Sequence, residues 1–342
     1  SVLPLPFLPD KLRAVLELLP FASMQNVPLR IYAGQIAGGE RAFTMALQAV
    51  WLVLLAAAGK ALMNRALRRV VVQGGLTQRK EGSAMRLYLK YFSIHLRSAM
   101  QYKTSFFLTV LGQFLVSFSM FLGIYFMFSR FHTVEGFSYQ EVLLCFAIVL
   151  MAFSLAECFA RGFDAFPSML GNGQFDRILV RPRGAVFQVL ASKMELTRLG
   201  SLLQAVLVFA YVIPASGIVW RWDRILTLVL MVAGGVAVFS GLLMIYASLC
   251  FYTTEGLEFM NIFTDGGREF GRYPFRIYGE GVLKFFTYII PLALFQYYPL
   301  LFLLGRSSNR LLMLAPFAAL PFLALCLLFW KIGVRHYKST GS

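Results

Sequence analysis

A chain of 342 residues in which 58% are hydrophobic and only 14% charged lies far below the roughly 25% charged content of a soluble domain. This excludes an ordinary water-soluble fold and predicts an all-α, polytopic integral membrane protein, since several apolar runs reach the roughly 20 residues needed to cross a bilayer. The formal net charge of +16 does not call for nucleic acid, because the cations stand beside apolar runs, as the positive-inside bias dictates.

Residues 19–34, "LPFASMQNVPLRIYAG", are echoed by residues 290–305, "IPLALFQYYPLLFLLG". The ungapped pair agrees at Pro20 and Pro291, Ala22 and Ala293, Gln25 and Gln296, Pro28 and Pro299, Leu29 and Leu300, and Gly34 and Gly305. The longer stretch 10–33 carries Asp10, Lys11, Arg13 and Glu17 ahead of Pro20. Each such charge costs about 2.5–3.5 kcal/mol at mid-bilayer. A proline-broken, amphipathic hairpin dipping in from one face fits these residues better than a straight span. A span follows at 43–66, and Arg65, Arg68 and Arg69 place its far end in the cytoplasm. Residues 76–84 form a polar, Gly-containing linker.

The next segment, 85–103, mixes Arg86, Lys90, Arg97 and Lys103 with Leu, Tyr, Phe and Ile, as a helix lying in the membrane interface requires. Spans are expected at 104–128, 141–160, 196–219, 225–251 and 311–332. The loop after the second carries Arg161, Arg177, Arg181, Arg183, Lys193 and Arg198, against Arg130 alone in 129–140, so the basic loop and the carboxyl tail face the cytoplasm. Even parity demands one more crossing within 253–304. The reading adopted is a short, partly polar span at 253–272, with a re-entrant pair at 275–300. The alternative keeps 253–280 in the cytoplasm and lets 281–304 span. Residues 62–75 match 329–342 with a small shift, so 1–75 reads as the C-terminal third of a unit whose complete form is 85–342.

No phosphate loop, HExxH or GxSxG motif is present, so ATP hydrolysis by the chain itself is not expected. His95, His132 and His336 fall on different sides and predict no shared site. Cys145, Cys158, Cys250 and Cys326 lie within or at the ends of apolar runs without CxxC spacing and read as packing residues, with no metal site. Glu157 is expected to pair with Arg161 one turn on. Glu255, Glu258, Asp265, Arg268, Glu269 and Arg272 either pair with one another or line a wet path. In "GNGQFDRILVRPRG" (171–184), Phe175, Ile178 and Leu179 form an apolar side and Asp176 with Arg177 a polar one, the make-up of a short helix that docks into a partner's groove.

G-x-F-D-x-x-L-x-R-P at 173–182, F-G-R-Y-P at 270–274 and P-x-A…Q-x-x-P at 291–299 together resemble the type-2 class of ABC transporter permeases, in a bacterial six-span exporter subfamily. The resemblance implies a non-catalytic transport subunit of the bacterial inner membrane that forms the translocation path. It implies a cytoplasmic ATP-binding subunit as partner, which binds the ATP, and a sister permease or second copy in a dimer surrounded by membrane lipid. It assigns ATPase coupling to Gly173, Phe175, Asp176, Arg181 and Pro182, and a re-entrant exit region to Arg272, Tyr273, Pro274, Pro291 and Pro299. Residues 1–75 are similar to the C-terminal part of a sister permease. The alternatives are an integral-membrane enzyme acting on lipid-linked substrates and a non-transporting assembly factor.

Overall fold

The structure, a computed structural model, describes residues 84–131, 133–253 and 260–337, together with positions 50 and 57. The chain divides into two compact units, Ser1–Glu81 and Gly82–Ser342. The hairpin and span expected within 1–75, the linker up to residue 83, His132, Glu255 and Glu258 lie outside the described residues.

The second unit is helical. Helix α1 (Ala84–Ala99) passes through a 3-10 turn into α2 (Lys103–Arg130). The break falls at Tyr102, whose φ of −114° and ψ of 67° leave the helical region. The segment expected to lie in the membrane interface is thus set off from α2 by a backbone break. Its Tyr88 hydroxyl donates to the Phe159 carbonyl at 3.1 Å, and its His95 ring bonds the Ala191 carbonyl at 3.1 Å.

Helix α3 (Tyr139–Asp164) starts with a capping box. The Ser138 side chain accepts from the Glu141 N–H, and Glu141 accepts from the Ser138 N–H. Three short helices follow: α4 (Phe166–Gly171), α5 (Gln174–Leu179) and α6 (Ala185–Leu190). Then come α7 (Leu199–Ala215) and α8 (Trp222–Thr253). Gly200 brings α7 against α2 so closely that a Cβ there would lie 2.0 Å from the Val110 carbonyl oxygen. The second half holds α9 (Asn261–Gly271), α10 (Glu280–Tyr288), α11 (Leu292–Leu303), a 3-10 stretch Arg310–Ala318 and α12 (Ala319–His336). The predicted last span thus begins as a tighter helix around Pro316, which cannot donate the backbone bond of a regular α-helix.

Five stretches among the described residues are long and apolar enough to cross a membrane: Arg86–Arg130, Tyr139–Gly171, Leu196–Ala215, Trp222–Thr253 and Arg310–His336. Helices α10 and α11 do not continue one another but meet at 113°, so 281–304 is not a straight span. Helix α9, with 11 residues, is about 16 Å long, short of the roughly 30 Å hydrocarbon thickness. Residues 254–259, the other part of the expected fifth crossing, lie outside the described residues. Helix α3 is the central element, its side chains from Val142 to Leu150 all buried.

Candidate functional site

At one end of the bundle, α4, α5 and α6 form a compact loop anchored by rings. Phe175 is fully buried, with Phe166 at 5.1 Å, Phe251 at 5.4 Å, Tyr337 at 5.1 Å and Trp330 at 6.3 Å between ring centroids. These rings belong to α4, α8, α12 and the residue just after α12. The Tyr337 hydroxyl also donates to Asp176 Oδ1 at 2.9 Å. The end of the last long helix and the 171–184 segment therefore share one side of the bundle.

This corrects the expected docking face. Phe175 and Ile178 are buried in the protein's own core, because the aromatic side chains of α8 and α12 offer a larger apolar contact than solvent does. The outward edge is Leu179, Val180, Arg181 and Pro182, with Val180 84% exposed. Gly173 starts α5 with a φ of 63°, a left-handed conformation that glycine adopts without a Cβ penalty. Sequence reasoning missed Gln188. Its buried amide donates to the Ile178 carbonyl at 3.0 Å and to the Arg183 carbonyl at 2.9 Å, closing the loop around the exposed edge.

Deeper in the bundle, Glu157 of α3 is buried. It pairs with Arg161 as expected, at 2.5 Å, and also with Arg198 at 2.5 Å. Arg198 immediately precedes α7, at the end of the segment that begins with the 171–184 loop, and donates to Gln113 Oε1 of α2 at 3.0 Å. Through Arg198 the carboxylate of α3 is thus linked to α2 and to the residue that caps α7. The i,i+4 spacing reveals Arg161 but cannot reveal a partner from another element. Along α9, Arg268 pairs with Asp265 at 3.4 Å and with Glu269 at 3.1 Å, Arg272 also pairs with Glu269, and the Arg268 guanidinium lies 4.7 Å from the Phe153 ring centre. Pairing therefore accounts for the described members of this charged group. Gln113, Ser117, Arg198, Ser201, Arg268 and Arg272 border a slot of about 30 Å³, room for little more than a water.

The residues carried by the internal echo meet at the opposite end. Pro291, Ala293, Gln296, Pro299 and Leu300 are all buried. Pro291 caps α11 at the bend, and Pro299 sits inside the helix. Gly305, with φ of 71°, turns the chain out of α11. Gln296 donates its amide to the Gly271 carbonyl at 3.2 Å and to the Tyr273 carbonyl at 3.0 Å, and contacts Cys145 Sγ. It thereby holds α11 to the turn that carries Arg272, Tyr273 and Pro274 and brings the exit-region candidates together. Arg272 is buried. Burial pushes the Tyr273 and Tyr278 hydroxyls above the ordinary tyrosine range. From the loop after α11, Arg306 donates to the Gly136 carbonyl at 2.7 Å and pairs with Glu141 at 2.6 Å. The loops at 133–138 and 304–309 therefore share this end.

Replacing Gln296 by leucine removes the amide but keeps a similar volume, leaving one buried and one partly buried carbonyl without that donor at a cost of about 1–3 kcal/mol. A lowered thermal unfolding midpoint in detergent is the expected result, with the Gln296→Leu helix content unchanged by circular dichroism.

A protein-family model described as "ABC-2 family transporter protein" matches residues 114–341. Neither a curated protein nor a solved structure matches the chain.

Proposed function

Because the chain belongs to the ABC-2 transporter family and is a membrane permease component of an ABC transporter, we propose that it serves an exporter of the bacterial inner membrane and couples through the Leu179–Pro182 edge to a separate cytoplasmic ATP-binding subunit. The observation that carries this reading is the anchoring of α5. A push on the exposed edge bears on Phe175, and Phe175 rests on Phe251 of α8 and Trp330 of α12. The same segment ends at Arg198, whose ion pair with Glu157 reaches α3 and whose bond to Gln113 reaches α2. Movement driven by ATP binding in the partner thus has rigid, packed routes into four long helices.

In this reading the α5 side and the carboxyl tail are cytoplasmic, and the bent α10–α11 pair enters from the outer side, where Gln296 holds it against the exit turn. ATP is bound by the partner, and this chain holds no cofactor. Residues 85–342 serve as a six-span permease domain, residues 1–75 as a segment similar to the C-terminal part of a sister permease, and a sister permease or second copy lines the rest of the translocation path.

The test replaces Leu179 and Val180 by glutamate in the complex reconstituted with its ATP-binding subunit. Both side chains are exposed, so insertion and folding persist while transport-stimulated ATP hydrolysis is lost. Hydrolysis and transport at the unmodified level in that variant would remove the coupling role.

A further inference from the structure

At the end of the bundle opposite α5, Arg221, Trp222, Asp223, Phe302, Arg310 and Met313 enclose an open cavity of about 470 Å³. We propose that this cavity binds the phosphate-bearing headgroup of an anionic phospholipid. Two cations from different loops flank it, Arg221 before α8 and Arg310 at the start of the 3-10 stretch. Among the described residues no carboxylate forms an ion pair with either. The one acidic neighbour, Asp223, accepts from the Arg224 backbone N–H at 3.0 Å in the first turn of α8. Arginine forks match phosphate oxygens two at a time.

The apolar surroundings select a lipid over a soluble phosphate. Trp222, 87% exposed, stands where tryptophan settles at a membrane-water boundary. Directly along the two elements, Ile225, Leu226 and Val229 of α8 and Leu314 and Phe317 of the 3-10 stretch are exposed. Aliphatic side chains exposed on helices of this length face acyl chains. A headgroup between the arginines therefore places its tails on an apolar wall, the arrangement of basic pockets between membrane helices that hold anionic lipid.

The positive-inside bias gives no reason for Arg221 and Arg310 on this side. This side is the outer one only in the orientation proposed above. Lipid binding does not read orientation, so the two readings can fail separately.

The experiment measures lipid adducts on the full chain by native mass spectrometry, with phosphatidylglycerol or phosphatidylcholine as probe. The chain is expected to prefer phosphatidylglycerol, and Arg221→Gln with Arg310→Gln to erase that preference. The loss is about fivefold per arginine, or about 25-fold for the pair, from the usual gain per basic residue near an anionic surface. Arg221→Lys with Arg310→Lys keeps the charge and recovers part of the preference. Arg130→Gln, an exposed cation outside the cavity, leaves it unchanged. Equal binding of both lipids to the unmodified chain, or an undiminished preference in the double glutamine variant, overturns the proposal. So does displacement of the lipid by millimolar inorganic phosphate, which would make the cavity a site for the free anion.

Discussion

Replacing Glu157 by alanine is expected to cost about 1–3 kcal/mol, because it leaves the partly buried guanidinium groups that it holds without their charged acceptor. Here two guanidinium groups share the carboxylate. Arg161 retains Asp164 at 3.2 Å, but Arg198 is left with the neutral Gln113. Most of the damage should therefore trace to Arg198, at the junction between the loop that follows α3 and α7. Chemical denaturation of the purified protein in detergent would show it as a lower midpoint. Adding Arg198→Met removes the orphaned charge and should restore part of the loss, giving a coupling of about 0.5–3 kcal/mol in the double-mutant cycle. Strictly additive losses would mean that Glu157 and Arg198 act independently, contrary to their 2.5 Å separation.

Trp330→Ala is the second large effect. The indole is buried and contacts Phe163 at 5.7 Å, Phe166 at 5.1 Å and Phe251 at 5.1 Å between centroids. Truncating a buried aromatic costs about 3–5 kcal/mol, and here the void opens beneath Phe175. Beyond lower stability, α5 should lose its fixed seat on α8 and α12. Limited proteolysis should then cut within 171–184 sooner than in the unmodified chain, while Trp330→Phe, which refills most of the space, should stay close to normal. Equal cleavage rates in the alanine variant would show that the ring cluster does not hold the loop.

The membrane architecture was legible because apolar runs of span length have few other uses in a chain this hydrophobic. The bend between α10 and α11 was legible as well, since Pro291 and Pro299 recur in the echo with Pro20 and Pro28. The echo also flagged Gln296 without explaining it, because the carbonyls of Gly271 and Tyr273 approach its amide only after α11 folds back. The facing of α5 was misread for a related reason. Phe175, Ile178 and Leu179 look alike in sequence, and only the arrival of Trp330 and Phe251 from distant helices decides that the first two turn inward. Arg198 read only as one more cation of the basic loop, because its partner Glu157 lies in another element. The 3-10 start of the last span was hidden by an apolar run that reads as regular helix, although Pro316 was in view.

The most direct test of the coupling edge uses Val180→Cys. All four native cysteines are buried, so a thiol at this exposed position is the preferred target of a membrane-impermeant maleimide. In intact cells it should stay unlabelled. In inside-out vesicles it should react rapidly, and the reaction should slow when the ATP-binding subunit is bound. Labelling in intact cells, or a rate in vesicles indifferent to the ATP-binding subunit, would contradict the assignment of the Leu179–Pro182 edge as the contact that receives the power stroke.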